Sequence, residues 1–495
     1  MSDTNRVQLA IGRASDREIP IAGTPTAQLL RLTGLPTFGY NPSTITSNEI
    51  RSDRQVTDLV PVGAEPAAEV PFELSYGAFD LLMESLMLNT LTKTGEEIGT
   101  GITFGSGVIN VTTGTDFTVN NILRLENVGG ADIGGGIYVI DSIASNALTV
   151  SPLTGTSTNA ITGSMTSSST TKVKVCGLIA DAAGEIDTTL SSGVGGLVAA
   201  GGSSFTDARG TGNLVAGMWI KINGASDTDN NKWVRLTAVT ATTVSFAAPS
   251  GFSAEAVSGR LEIYFGDYIT NGTGTIAANS LFMEASFNDM SPVGYKLLLG
   301  AVLNTLEMNL TPQALVTCQA SFLALNAALD TNRSNLYSTP PTPAAAPTNN
   351  VYNTSSNIGR IGRGSDIVSV GGINYVLEAT VNLSNTLRRR NAVGTFGTAS
   401  IGAGEFAVTG GLQTYLDDFT LEQALIAGTE TSLDITAQGS DGRSITIDMP
   451  RVKFTGGSSQ TPGKNDDNVL PLTYQALRDT TLGYTALIQN TPYAR

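Results

Sequence analysis

Apolar and polar positions alternate through much of the chain. Leu281, Met283, Ala285 and Phe287 keep one parity, as do Leu306, Met308 and Leu310, then Val316, Cys318, Ala320 and Phe322. A period of two places such side chains on one face of a strand, so these runs predict strands with one buried face and make Cys318 a small core residue. Tyr375, Leu377, Ala379, Val381, Leu383 and Leu387 share a parity along a longer strand interrupted at Asn385. Further alternation marks Leu433-Ile435-Ala437, Ile445-Ile447-Met449, Val452-Phe454 and Tyr484-Ala486-Ile488. Tyr76, Phe79, Leu82, Met83, Leu86 and Met87 instead recur at helical spacing and predict a core-packed helix from Tyr76 to Leu88; a second helix is expected from about Asp418 to Ala427. Residues 1–40 read as an extended arm or short strand punctuated by Pro20, Pro25 and Pro36. Residues 41–75 read as strands broken by a loop from Val62 to Pro71, whose Glu65 and Glu69 suit either an inter-subunit hairpin or a plain solvent loop.

Two repeats are superposed on this pattern. Ser47-Asn48-Glu49-Ile50-Arg51 returns as Ser384-Asn385-Thr386-Leu387-Arg388, and each copy leads through a Gly/Ala/Glu-rich passage to a short strand and a helix opening on Phe79 or Phe419. Between them, residues from about 100 to 270 are rich in Gly, Ser and Thr and hold a smaller repeat. Ile122-Leu123-Arg124-Leu125 matches Trp219-Ile220-Lys221-Ile222, Ile137-Tyr138-Val139 matches Lys232-Trp233-Val234, and Leu148-Thr149-Val150 matches Val244-Ser245-Phe246, at offsets of 97, 95 and 96. The expected layout is a first large domain from 1–100 plus 271–330, inserted β modules at 101–185 and 186–270, a Pro/Ala-rich linker at 331–372, and a second large domain at 373–495.

Composition narrows the class. A chain of 495 residues is long enough for several cores. The net charge of −15 argues against a nucleic-acid-binding surface, which draws affinity from Lys and Arg on phosphate. With no histidine, the commonest general base and metal ligand is missing; Cys176 and Cys318 are too few for a disulfide framework. No basic-then-apolar leader opens Met1-Ser2-Asp3-Thr4 and no apolar run approaches a membrane span, so the expectation is an acidic protein made in the cytoplasm without a membrane anchor, and sequons such as Asn110-Val111-Thr112 carry little meaning.

Motifs for chemistry are sparse. Triads and zinc sites lack their histidine or clustered cysteines, and no motif supports a Ser–Lys pair, so neither an enzyme nor a cofactor is expected. Asp227-Thr228-Asp229-Asn230-Asn231 has calcium-loop spacing without the Gly and distal Glu, and reads as a polar turn. Gly359-Arg360-Ile361-Gly362-Arg363-Gly364 follows a loop and lacks the phosphate-loop Lys-Ser/Thr, which predicts a flexible turn. Asp417-Asp418 suits helix capping, and Asp466-Asp467 a solvated loop. Glu49, Arg51, Arg54 and Arg388 are the candidate seam between subunits or domains, with a solvated strand face as the alternative.

The run Thr46-Ser47-Asn48-Glu49-Ile50-Arg51-Ser52-Asp53-Arg54, followed by Val56-Thr57-Asp58, resembles the N-terminal signature of tail tube proteins of long-tailed bacteriophages. The later part is similar through Gly404-Glu405-Phe406-Ala407-Val408-Thr409-Gly410, Ile445-Thr446-Ile447-Asp448-Met449-Pro450-Arg451-Val452, and Asn465-Asp466-Asp467 leading to Leu472-Thr473-Tyr474-Gln475-Ala476-Leu477. This resemblance implies a mainly β fold with two tube-type β-sandwich or barrel domains, each with a flanking helix, plus the two small β modules. It implies a virion tail protein whose partners are further copies of itself in stacked rings, other tail proteins at the tube ends, and DNA that passes without specific binding. A repeated tube fold implies a ring of three chains, Arg51 and Arg388 in equivalent places, modules directed outward and a negative lumen. The alternative expectation is a β-sandwich adhesin or decoration protein that binds host glycan through the modules.

Overall fold

The computed structural model describes residues 6–14, 18–34, 36–50, 52–53, 55–129, 136–156, 160–182, 184–200, 205–271, 279–363, 366–367, 375–416, 418–460 and 463–495. In chain order come β1 (Val7–Arg13), β2 (Gln28–Leu29), β3 (Thr37–Gly39), the hairpin of β4 (Pro42–Thr46) and β5 (Leu59–Ala64), β6 (Ala67–Glu73) and helix α1 (Asp80–Met87). Then follow β7 (Glu96–Ile98), β8 (Thr103–Gly105), β9 (Val108–Asn110), β10 (Asn121–Glu126), β11 (Ile137–Ala144), β12 (Ala147–Pro152) and β13 (Lys172–Ala180). After these lie β14 (Ile186–Ser191), β15 (Val194–Ala199), β16 (Trp219–Asn223), β17 (Trp233–Val239), β18 (Thr243–Ala247) and β19 (Leu261–Tyr264). The chain returns through β20 (Asp267–Thr270), β21 (Leu281–Phe287), β22 (Gly294–Leu310), β23 (Thr317–Leu323), β24 (Asn326–Asp330), β25 (Ile358–Arg363) and β26 (Asp366–Ile367). The last part holds β27 (Val376–Ser384), the hairpin of β28 (Arg388–Arg390) and β29 (Ser400–Gly402), β30 (Ala407–Tyr415), helix α2 (Thr420–Ala427), β31 (Thr431–Gln438), β32 (Ser444–Gly457), β33 (Val469–Ala476) and β34 (Leu487–Thr491).

One pairing scheme occurs twice in the larger sheet. The antiparallel path β1–β21–β22–β23–β6–β3 is matched by β25–β31–β32–β33–β30–β27, with β24 added to β22 as β34 is to β32. Register slips fall at corresponding places: Leu281/Met283 and Thr431/Leu433, then Leu303/Thr305 and Phe454/Gly456. Such one-residue bulges bend a strand, and they let β22 and β32 run from one layer of a sandwich into the other. Both helices end in a left-handed residue, Leu88 or Gly428. The two paths join edge to edge where Thr305–Leu310 of β22 pairs with Ala379–Ser384 of β27. A single apolar core runs beneath this joint, from Phe72, Leu86 and Met308 to Val381, Leu412 and Tyr474.

Strands β8 to β19 form a separate sheet with the order β14-β15-β18-β17-β16-β19-β13-β10-β11-β12-β9-β8. Read inward from either end it has the same connectivity, and the slips at Ile140/Ser142 and Leu236/Ala238 again correspond. This sheet leaves the first path at a neck where buried Lys174 bonds Glu96 at 2.9 Å and also holds Asp267. It then lies against the second path. Trp219 N donates to Gln489 Oε1 at 2.9 Å and Gln489 Nε2 donates back to Trp219 O at 2.6 Å. Arg235 reaches Asp448 at 3.1 Å and Arg443 reaches Glu126 at 2.6 Å, around an apolar patch of Ile122, Cys176, Trp233, Tyr484 and Leu487.

Three local expectations change. The helix from Tyr76 is shorter, because residues 76–79 form turns before Asp80. The Gly359–Gly364 stretch is no flexible turn over its described part. Ile358–Arg363 is a strand on β31, in which Arg360 is buried, forks onto Asp434 at 2.6 and 3.2 Å and stacks on Trp219. The glycines flanking Arg360 give its side chain room, since a Cβ at Gly362 would lie 2.3 Å from its guanidinium. The Pro/Ala-rich stretch is laid on the fold instead of spanning free, with backbone bridges Ile21–Tyr337, Gln28–Ala344, Ser75–Val351 and Leu315–Asn353. Extended, proline-rich backbone can still bond through its carbonyls, and buried Tyr337 and Tyr352 pin it at either side.

Removing Arg360 alone should be costly, because Asp434 would stay buried and unpaired. Arg360→Ala is expected to lose about 3–5 kcal/mol in urea unfolding, and Arg360→Met with Asp434→Leu much less. At the neck, burial acts to raise the Glu96 carboxyl, but the ammoniums of Lys174, Lys172 and Lys93 override it and hold it down at about 2. A carboxyl lowered on folding contributes stability above its ordinary range and loses it as pH falls toward 2. Between pH 5 and pH 2.5 the wild type should lose about 2–3 kcal/mol more than Glu96→Gln, measured as the shift in urea midpoint.

Candidate functional face and sheet edges

The larger sheet presents a continuous eight-strand face, β3–β6–β23–β22–β27–β30–β33–β32. Most of its strands alternate: Val70, Phe72, Cys318, Ala320, Leu306, Met308, Val381, Leu383, Leu412, Leu472, Tyr474 and Val452 are buried in the core. The opposite face is polar. Across it run Gln319, Glu307, Asn382, Thr409, Gln475 and Lys453, joined by cross-strand register. Its carboxylates are Glu69, Glu73, Glu307 and Glu378, and its cations are Arg451 and Lys453, which Glu430 holds at 2.7 and 3.3 Å. The side-chain bonds to Arg451, with Lys453 behind them, hold the exposed Glu430 carboxyl down at about 2, so it stays charged. The face is therefore negative: with Glu430 its carboxylates outnumber its two cations, both of which Glu430 pairs.

Both ends of this array are open among the described residues. β3 pairs β6 on one side and no strand on the other; Lys453–Gly457 of β32 pairs β33 on one side only. Unpaired edges are templates for further strands. Beside the array stand two detached hairpins, β4–β5 and β28–β29. The first exposes Ile45, Leu59, Val60 and Val62.

Glu49 is exposed in the loop between β4 and β5, and Arg388 is exposed on β28, with Nη2 3.4 Å from Ala403 O; the two sit on different hairpins. Arg51 and Arg54 lie outside the described residues. The Ser-Asn-x-x-Arg match does not mark equivalent places. Asn385 directly follows β27, is buried, and donates to Leu86 O and Leu303 O at 2.7 and 2.9 Å. Asn48 is exposed beyond β4. The counterpart of Asn385 is Tyr40, which directly follows β3; the next residues, Asn41 and Thr386, both have positive φ, 35° and 45°. The side chains match by chance while the strands are offset by eight residues, the difference between 48 and 40. Phe79 and Phe419 do occupy matching places before α1 and α2, but Phe79 is buried and Phe419 exposed.

Other expected positions have ordinary roles. Asp227 accepts from Asp229 N at 3.0 Å and from Ser253 Oγ at 2.6 Å, capping a short 3-10 turn. Asp418 accepts from Thr420 N at 2.8 Å at the start of α2, and Asp417 lies outside the described residues. Asp466 and Asp467 are exposed in a loop. Among the described residues no helix is long and apolar enough to cross a membrane.

A polar sheet face ends on two edges that, among the described residues, leave backbone groups free to pair with further strands. The family model of phage tail tube proteins matches residues 4–174 and 178–476, and the chain belongs to that family. It is thus a structural protein of the virion tail, of a family that assembles into a tube with other tail proteins and is not enzymatic. No curated protein matches the chain.

Since Glu307 and Glu378 make no core contact, their replacement should leave folding alone. Glu307→Gln and Glu378→Gln are each expected within about 0.5 kcal/mol of wild type in urea unfolding.

Proposed function

We propose that this chain carries the tube fold twice and that three copies close into a pseudo-six-fold ring, which stacks into the conduit of a long-tailed phage for DNA ejection. The observation that carries this reading is the in-chain joint between β22 and β27. It splices the edge of one sandwich to the edge of a second one that has the same pairing order. The free edges of β32 and β3 are the same two edges, left without a partner. By the matched register, Gly456 and Gly457 of one copy would face Gly39 and Phe38 of the next. Closed assembly is the usual outcome when a chain offers two complementary edges.

Three copies would bring twenty-four strands. At a strand spacing of ~4.8 Å and a tilt of ~40°, the barrel backbone would be on the order of 48 Å across. Barrels of 16–18 strands already leave an aqueous channel, so this bore takes a nucleic-acid duplex. The polar face would line it, and its negative charge would keep phosphate from being held by counterion release. The domain boundaries proposed are the two tube folds at 1–100 plus 271–330 and at 373–495, with the β modules at 101–185 and 186–270 and the connecting strap at 331–372. The modules would face outward, because they are docked on the outer face of the layer β31–β32–β34, opposite its core-facing Ile435, Ile447 and Ile488, and not on the polar face. In this reading Glu49, in the loop of β4–β5, belongs to the seam between subunits and Arg388, on β28, to the joint between the two folds; Arg51 and Arg54 are proposed for the subunit seam from their place in the sequence between β4 and β5.

Native mass measurement of an isolated ring tests the proposal. Three chains per ring are expected; six chains per ring, or a chain that stays monomeric at assembly concentrations, would overturn it.

A further inference from the structure

We infer that the β4–β5 hairpin of one copy seats on the second tube fold of the next, against the outer end of α2 and the groove beside Gly404–Phe406 and Ala476–Leu477. This inference rests on the ring reading above and adds what grips each chain-to-chain joint.

The in-chain joint shows what such a grip looks like. Hairpin β28–β29 reaches back across the β22–β27 seam onto the first fold. Arg389 donates to Pro66 O at 2.7 Å and to Ala324 O at 3.2 Å, and Gly397 lies against Ala64 O and Leu325 O. At the hairpin's base, Asn385 bonds the end of α1 through Leu86 O. The repeated register carries each of these acceptor positions to the second fold. Pro66, just before β6, corresponds to Phe406, just before β30; Ala324 corresponds to Ala476; Leu86, in the last turn of α1, corresponds to Ile426 of α2.

On the first fold these places are covered; on the second the end of α2 is exposed and Phe406 is half-buried, while Ala476 is itself buried. Leu86 has 0% exposure and Ile426 has 81%. Phe79 is buried, and Phe419 is 58% exposed. Where the first fold is filled by Arg389 and Gly397, the second has a groove of about 350 Å³ lined in part by Gly404, Glu405, Phe406, Ala476 and Leu477.

The occupant follows from the same correspondence. β4–β5 is the first fold's version of β28–β29, and it stands detached with both faces exposed. A lone two-stranded hairpin is at best marginal in water, and this one carries Ile45, Leu59, Val60 and Val62 into solvent. Tyr40, 44% exposed, stands where Asn385 stands in the other joint. Thr44 stands where Arg389 does, so no guanidinium occupies that position of the hairpin. The joint between chains therefore replaces the polar clamp within the chain by apolar burial: Tyr40 on Ile426, and the hairpin's aliphatic side chains in the groove. Exposed apolar area on both partners, absent from the covered equivalents, is what a pending interface leaves behind.

The test uses Tyr40→Cys with Ile426→Cys in the full chain; the native Cys176 and Cys318 are buried. Mild oxidation of assembled tubes should give cross-linked dimers and a closed three-chain species on a denaturing gel. In parallel, Ile426→Glu should leave the circular dichroism of the monomer unchanged and raise the concentration needed for assembly at least tenfold. Intact tubes that give no cross-link, or Ile426→Glu tubes forming at the wild-type concentration, would overturn this inference and leave the ring intact. A wild-type chain that never forms rings would instead remove the reading on which it rests.

Discussion

An antiparallel sheet edge whose backbone groups have no partner governs this structure. Within the chain, β22 would be such an edge at Thr305–Leu310, and β27 another at Ala379–Ser384; pairing the two satisfies both and merges the sandwiches over one core. The detached hairpins, the position of Asn385 and the extent of the polar face are arranged around that joint. Joining two edges leaves the outer two, β3 and the end of β32, as open as before.

Asymmetry between the halves follows. α1 is closed in by β20 and β22, by Asp80 bonded to Asn490, and by Asn385 at its end. Its counterpart α2 has only its inner residues covered, and only Leu421 is fully buried. Apolar side chains that are buried in the first half, Phe79 and Leu86, have exposed counterparts in the second, Phe419 and Ile426. The modules add rigidity of a different kind. They leave the chain from the first fold at the Lys174 neck and bond the second at Trp219, Arg235 and Glu126, so they bridge the halves on the side away from the polar face. Buried ion pairs such as Arg360–Asp434 contribute little net energy there. Burial pushes the Asp434 carboxyl above its ordinary value against the pull of Arg360, and the pair's use is to fix how β25 sits on β31 and against Trp219.

Much of this was readable as period. Alternation located β21, β22, β23, β27, β31 and β32 because in each a core-facing apolar side chain recurs at every second residue, and the offset near 96 between β10–β12 and β16–β18 survives as matched bulges. What escaped was anything set by partners distant in sequence. Asn48 and Asn385 share a motif but not a place, since hairpin length between β3 and β6 shifted the strand while the residues stayed similar. Arg360 looked like part of a loose glycine turn because its anion, Asp434, is 74 residues away. The Pro/Ala stretch looked free because a segment that docks by backbone bridges leaves no side-chain pattern. The open edges themselves have no sequence signature: β3 reads like any short strand, and among the described residues it pairs only β6.

Hydrogen–deuterium exchange at those edges tests the central claim most directly. In the dispersed chain the amides of Thr37, Phe38, Gly39, Gly456 and Gly457 that face away from β6 and β33 should exchange freely, while those of Leu306 and Met308 in the in-chain joint are protected. In assembled tubes the two sets should become equally protected. Edge amides that go on exchanging as fast in the tube as in the dispersed chain would contradict closure of the ring through β3 and β32.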